Sequence, residues 1–240
     1  MLRRNIILLF FVFAILSSVE AQVRPGVKLG LNFNNVIGDY IGTDQRSDKS
    51  GDPDNFHLIQ GFQVGLILDC PINETIAIQP GAKFVSRGFN DKYTSNGKVE
   101  RKFTLYYLQV PVNVQYRLNV GEQMNVLFQA GPYGGYGLFG RQKYTRKGKS
   151  QDLSDSSKKI TFGNGTADDI YKAFDYGVGA GVGFEFYNFQ IMAEYELGLY
   201  KMTFNKSIPS AKYNVHMQNH GFSFTLAYVF GKKDPLQNKE

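Results

Sequence analysis

The feature of this sequence that most constrains its fold is an alternation of apolar and polar residues that recurs in eight separate stretches. Successive side chains of a β-strand point to opposite faces, so each stretch predicts a strand with one apolar and one polar face. The stretches cover residues 27–33, 58–69, 75–87, 106–118, 124–136, 174–186, 189–199 and 222–230. After residue 21, no apolar run is long enough for a membrane-spanning helix.

The connections between these stretches alternate in length. Short turns join strands two and three, four and five, and six and seven, at 71–74, 119–123 and 187–188. The other connections are longer and polar, at 38–56, 90–101, 140–170 and 205–219. An antiparallel meander with short turns on one side and long loops on the other is typical of a transmembrane barrel. We therefore expect long loops over these four segments.

The distribution of charge predicts which face of the sheet meets lipid. Apolar-face positions carry almost no charge, whereas the opposite face carries several acids and bases. A charge on the lipid face at the bilayer midplane costs roughly 2–4 kcal/mol, so the apolar face must point outward. Lipid offers no hydrogen bonds to an open sheet edge, so the last strand must pair with the first. The predicted fold is an all-β, eight-stranded antiparallel up-and-down transmembrane β-barrel.

The charges of the polar face are expected to fill the barrel interior. An eight-stranded barrel is only wide enough for its own side chains, and the bases and acids nearly balance. We interpret them as a buried network of ion pairs and hydrogen bonds, with a proton or ion path as the alternative. The predicted network contains Lys28, Lys83, Arg87, Arg117, Asp175, Glu185, Glu194 and Glu196, with Asp69 as a further acid of this face.

The first 21 residues predict an export signal. Two arginines precede an apolar run over residues 6–16, and small residues before and at Ala21 fit a secretory cleavage site. Cleavage near Ala21 leaves a barrel domain over 22–231 and a polar C-terminal tail over 232–240, in the outer membrane. The formal charge of +6 favours anionic lipid as the partner over nucleic acid, which an exported chain seldom meets.

A second group of charges lies in the third long connection. Five bases fall within nine residues, namely Arg141, Lys143, Arg146, Lys147 and Lys149. One interpretation is a solvated surface loop. The sharper hypothesis is that this surface-loop cluster binds lipid-A phosphates or an acidic partner at the cell surface.

The sequence offers little for catalysis or metal binding. His57 shares its strand with no serine, and His216 and His220 lie in a loop and at a strand entry. The single cysteine, Cys70, excludes an intramolecular disulfide and a multi-cysteine metal site. We predict no catalytic residue, no metal and no cofactor. A small-solute porin and an outer-membrane lipid-modifying enzyme remain the alternative functions.

Several strand sequences resemble one barrel family. Residues 107–116, YLQVPVNVQY, resemble the Y-L-E-I-P-L-L-L-K-Y segment of PorT-type outer-membrane β-barrel proteins, and 26–32 looks like that family's first strand. Gln109 replaces the usual Glu, so any role of that acid is not carried over. The resemblance implies a barrel in the outer membrane of a Gram-negative cell, in a family with one branch tied to protein secretion and maturation. The function predicted is a structural or partner-binding component of the cell envelope, of unknown oligomeric state.

Overall fold

The computed structural model shows eight long antiparallel strands and several short ones. It describes residues 23–37, 40–42, 56–94, 98–147, 152–163, 171–201, 206–208, 211–215 and 217–231. The long strands are β1 (Arg24–Ile37), β2 (Ile59–Pro71), β3 (Ile76–Thr94), β4 (Lys98–Gly121), β5 (Met124–Lys147), β6 (Phe174–Phe186), β7 (Phe189–Gly198) and β8 (Gln218–Val229). The predicted signal peptide and polar tail lie outside the described residues. No described helix could cross a membrane.

The eight long strands close into a ring. Each strand pairs with the next one along the chain, and β8 pairs with β1 from Gly26↔Val229 to Ile37↔Gln218. Closure satisfies the backbone groups that an open edge would leave without partners in lipid. The predicted eight-stranded antiparallel barrel is therefore confirmed.

The two faces of the barrel wall differ in polarity as the alternation requires. Outward side chains such as Leu29, Leu66 and Phe224 are 56%, 64% and 59% exposed, whereas the neighbouring Lys28 and Thr225 are buried. So many exposed leucine and phenylalanine side chains would be unfavourable in water, but the acyl chains of a bilayer solvate them. The outer wall contacts membrane lipid, and the polar side chains fill the interior.

The barrel is much taller on one side. β3, β4 and β5 have 19, 24 and 24 residues, whereas β7 and β8 have 10 and 12. An additional strand, Asp152–Ile160, pairs with β5 beyond the ring. We call the part formed by residues 88–94, 98–105, 139–147 and 152–160 the raised sheet.

The raised sheet corrects the predicted loops at 90–101 and 140–170, because much of both segments is strand. Beyond the bilayer the outer face of a strand meets water, so the apolar-out pattern used to find strands ends there. The remaining short strands lie in the long connections. They are Tyr40–Gly42, Phe56–His57, Phe162–Gly163, Tyr171–Lys172, Lys206–Ile208 and Ala211–Val215.

Candidate functional site

The charged side chains of the barrel interior form three groups, which follow one another from the short-turn end toward the raised sheet. In the first group, the buried Asp69 carboxylate lies between two guanidinium groups. Arg24 Nε donates to Asp69 Oδ2 at 3.0 Å, and Arg117 Nη2 donates to Oδ1. Arg117 Nε also lies 3.7 Å from Glu185, which accepts a hydrogen bond from Gln190 at 2.9 Å. This group closes the short-turn end of the lumen.

The second group surrounds one carboxylate near the middle of the barrel. Lys28 Nζ donates to Glu194 Oε1 at 2.6 Å, and Gln129 Nε2 donates to the same oxygen. Ser223 Oγ donates to Glu194 Oε2 at 3.3 Å. Donors from three other strands therefore satisfy a buried acid on β7, which links opposite walls of the ring.

The third group is centred on Glu196, nearer the raised sheet. Lys83 Nζ donates to Glu196 Oε1 at 2.6 Å, Gln109 Nε2 donates to it at 3.0 Å, and Arg87 Nη2 donates to Oε2. Arg87 Nη1 also lies 3.6 Å from Asp175. The Arg87 side chain thus joins two acids from β6 and β7 across the lumen.

Neutral groups hold Arg87 in place. Its Nη2 donates to Gln109 Oε1 at 2.7 Å, its Nη1 donates to Tyr133 Oη at 3.2 Å, and its guanidinium lies 5.0 Å from the centre of the Tyr133 ring. Asn219 Nδ2 donates to Asp175 at 3.1 Å. Arg87 therefore has hydrogen-bonding, ionic and aromatic partners that fix its position in the lumen.

Glycines on β6 make room for these side chains. A methyl group at Gly177 would lie 2.7 Å from Tyr133 Oη, and one at Gly181 would lie 3.0 Å from Glu194 Cγ. Both distances are shorter than an ordinary van der Waals contact. The alternate glycines of β6 are thus an inner wall against which larger lumen side chains pack.

The described charges of the lumen balance, and most of the lumen side chains are buried. Five described bases face five described acids, and these are Arg24, Lys28, Lys83, Arg87 and Arg117 with Asp69, Asp175, Glu185, Glu194 and Glu196. A cavity of about 30 Å³ lies between the second and third groups, lined in part by Gln79 and Gln129. That volume holds one or two water molecules.

An apolar cluster lies at the other end of the lumen, partly on the inner face of the raised sheet, and we call it the apolar cap. Its members are Val36, Val85, Phe89, Phe103, Leu105, Tyr107, Ile160, Phe162, Tyr171 and Met217. The Phe89 and Phe103 rings stack at 4.6 Å, and the Tyr107 and Phe162 rings meet edge to face at 5.4 Å. Burial, and then the Asp91 carboxylate, raise the pKa of the Tyr171 hydroxyl.

The structure places all eight residues predicted for the network in the barrel interior, but it divides them among the three groups. Arg24 and Tyr133 were missed. Arg24 precedes the predicted first strand, although it has the same parity as Lys28. Tyr133 stands on the polar face, where an aromatic ring gave no sign of an ionic partner. The apolar cap was also missed, because Ile160 comes from a segment predicted as loop.

The predicted surface-loop cluster does not lie in a loop. Arg141, Lys143, Arg146 and Lys147 belong to β5, because the strand continues beyond the bilayer as part of the raised sheet. Arg141 and Lys143 are exposed. For Arg146 and Lys147 only the backbone is described, and Lys149 lies outside the described residues.

Within the described part of the chain, no group of three His, Cys, Asp or Glu side chains is arranged to hold a metal ion. His220 lies on the outer wall, where its Nδ1 is 3.4 Å from Tyr195 Oη. His57 is exposed on a short strand beside β3, and His216 is outside the described residues. The candidate site is therefore the filled lumen, together with the surface of the raised sheet.

Comparison with known protein families identifies the family of this chain. The family model of the outer membrane protein beta-barrel domain matches residues 17–203. No curated protein matches the sequence.

Similar solved structures are barrels. The attachment invasion locus protein Ail of Yersinia pestis, solved with the heparin analogue sucrose octasulfate, is 16% identical, with 87% of this chain and 99% of that one covered at a TM-score of 0.41. Neisserial surface protein A is 12% identical, with 86% and 97% covered at 0.39. The outer membrane protease OmpT of Escherichia coli is 11% identical, with 88% and 98% covered at 0.40. Because the family model spans most of its length, this chain belongs to the outer membrane protein beta-barrel domain family and is an integral protein of the outer membrane.

Proposed function

We propose that this protein is a non-conducting barrel that serves as a structural or partner-binding component of the cell envelope. The observation that carries the proposal is the filled lumen. Five buried bases neutralise five acids, the cavity between the second and third groups holds one or two waters, and the apolar cap covers one end. A hydrated ion would have to break several buried ion pairs to pass, and each is costly to break.

The proposed orientation puts the short turns in the periplasm and the raised sheet outside the cell, as in other bacterial barrels. Cleavage near Ala21 would release the barrel domain for insertion. The raised sheet is the largest described part of the chain beyond the bilayer, so it is the surface proposed for contact with an envelope partner.

The resemblance to PorT-type proteins supports protein secretion or maturation as the process that the partner serves. The segment that carries the resemblance, 107–116, lies in β4. Its Gln109 donates to Glu196 and accepts from Arg87. A neutral amide in this position preserves the balance of charge in the lumen.

Conductance across a planar bilayer tests the proposal. The purified chain inserted in the bilayer should give no steps above the lipid leak. Regular conductance steps, or liposome swelling with small sugars, would support a small-solute porin instead. Release of labelled acyl chains from envelope lipid would support a lipid-modifying enzyme.

Crosslinking in intact envelopes tests the partner. A photoreactive residue at Ser157, which is exposed on the raised sheet, should give one discrete crosslinked protein. The same residue at Glu122, in the short turn between β4 and β5, is the control on the opposite end of the barrel. Identical products from both positions would contradict a partner site on the raised sheet.

A further inference from the structure

A group of basic side chains lies on the outer face of the raised sheet. Lys102 of β4 stands directly opposite Lys143 of β5, and Arg141 of β5 stands opposite Lys159 of the strand Asp152–Ile160. All four side chains are exposed. We call these four residues the basic patch.

A β-bulge turns the two β5 bases of the patch outward. The register between β4 and β5 shifts after Tyr106, and Leu138 is the residue left over. Leu138 and Phe139 are consecutive, yet 45% and 44% of their surfaces are exposed. The bulge moves the alternation of β5 by one residue, so bases that would otherwise face the apolar cap point away from it.

Aromatic rings lie directly below the patch on the same face of the barrel. The Phe84 and Tyr106 rings stack at 5.6 Å, and the Tyr106 and Phe139 rings are 4.7 Å apart. Such rings mark the headgroup level of outer-membrane barrels. Arg141 pairs with Thr104, two residues beyond Tyr106, which places the first bases about 7 Å past the rings.

The positive charges of the patch favour the binding of an anion. Like charges directly opposite each other destabilise a sheet, and Arg141 faces Lys159 in this way. Within the described residues, Lys102, Arg141 and Lys159 form no ion pair with a carboxylate. An anion bound between the strands would offset the repulsion.

We propose that the basic patch binds the phosphate of an outer-leaflet lipid, whose acyl chains lie along the aromatic and aliphatic wall below it. A phosphate offers several acceptor oxygens, which suit the forked donors of Arg141 and the point charges of the lysines. A lipid fits better than a soluble polyanion because the patch continues directly into the lipid-facing wall. The inference goes beyond the proposed function, and it shares with it the orientation of the barrel and the use of the raised sheet as a binding surface.

The test is a lipid-binding titration of the full chain folded in neutral detergent micelles. Bisphosphorylated lipid A is the probe, and native mass spectrometry counts the bound lipid. The patch variant combines Lys102→Gln, Arg141→Gln, Lys143→Gln and Lys159→Gln. A control variant with the same change in net charge combines Lys92→Gln, Lys158→Gln, Lys172→Gln and Lys201→Gln, which lie outside the patch. Lys158 is the most informative of these, because it neighbours Lys159 on the opposite face of the strand.

We expect the patch variant to bind at least about tenfold more weakly, and the control variant to bind within about twofold of the original chain. Lipid A without phosphate should bind the original chain as weakly as bisphosphorylated lipid A binds the patch variant. Unchanged binding by the patch variant, an equal loss in the control, or unchanged binding of the phosphate-free lipid would each overturn the proposal. If the patch variant fails to fold, Arg141→Gln compared with Lys158→Gln gives the same test with single substitutions.

Discussion

The two ends of the barrel interior are closed by opposite kinds of side chain. At the short-turn end, Asp69 lies between Arg24 and Arg117. At the opposite end, Leu105 lies in the apolar cap, on the inner face of the raised sheet. Both Asp69 and Leu105 have no exposed surface, so full burial is reached once with charge and once with hydrocarbon.

The difference follows from what surrounds the outer face at each height. Where lipid covers the wall, β4 presents Val110 outward and Gln109 inward. Where water covers it, the same strand presents Lys102 outward and Leu105 inward. The polarity of the two faces therefore reverses along one strand. The membrane-spanning part is inverted relative to a soluble protein, and the raised sheet has an ordinary apolar interior.

The largest expected effect is at the charged end. Asp69→Asn removes the carboxylate between two buried guanidinium groups, and breaking such a cluster from one side costs roughly 3–5 kcal/mol. We expect the free energy of unfolding in urea, measured on the chain in lipid vesicles, to fall by about that amount. Glu122→Gln, in an exposed turn, should change it by less than about 0.5 kcal/mol. Equal effects from the two variants would show that the charged group does not stabilise the lumen.

A charge introduced on the outer wall tests whether the polarity of the two faces reverses along β4. Val110→Lys places a charge among acyl chains and should lower the free energy of unfolding by roughly 2–4 kcal/mol. Thr104→Lys, six residues along the same face, should cost no more than about 1 kcal/mol, because that position lies beyond the hydrocarbon. Similar costs at both positions would mean that the lipid boundary does not lie between them.

The apolar cap should respond to lost volume. Val85→Ala removes two methyl groups from a site that is 1% exposed, and a loss of about 2 kcal/mol is expected from transfer and cavity formation together. Val114→Ala removes the same groups from a side chain that is 53% exposed, where lipid tails can fill the space. Its loss should stay below about 1 kcal/mol. A larger loss at position 114 would contradict a packed cap.

The smallest effect is expected on the water-facing side of the raised sheet. Lys159→Glu places an acid opposite Arg141 in place of a second base. In the absence of lipid A, it should raise the free energy of unfolding by roughly 0.2–1 kcal/mol. Lys158→Glu faces Gln142 and should have a smaller effect. The order would be reversed if Lys158, rather than Lys159, lay beside Arg141.

The sequence was most informative where lipid imposes a pattern. Val110 and Val112 had to alternate with polar residues because one face of β4 meets acyl chains, so the strand, its faces and the lumen charges could be predicted. Beyond Tyr106 this constraint ends, and the long loops were expected where β4 and β5 continue. Contacts between distant segments of the chain could not be predicted from the sequence either. Neither the pairing of Arg141 with Lys159 nor the contribution of Ile160 to the cap depends on neighbouring sequence.

The most direct test of the reversal is an accessibility scan along the outer face of β4. Single cysteines at 102, 104, 108, 110 and 112, in a Cys70→Ser background, would carry a nitroxide label in lipid vesicles. The reversal of polarity along β4 predicts that labels at 108, 110 and 112 collide mainly with dissolved oxygen, and that labels at 102 and 104 collide mainly with a water-soluble nickel chelate. Access of the nickel chelate to all five positions would contradict it, because the whole face would then lie in water.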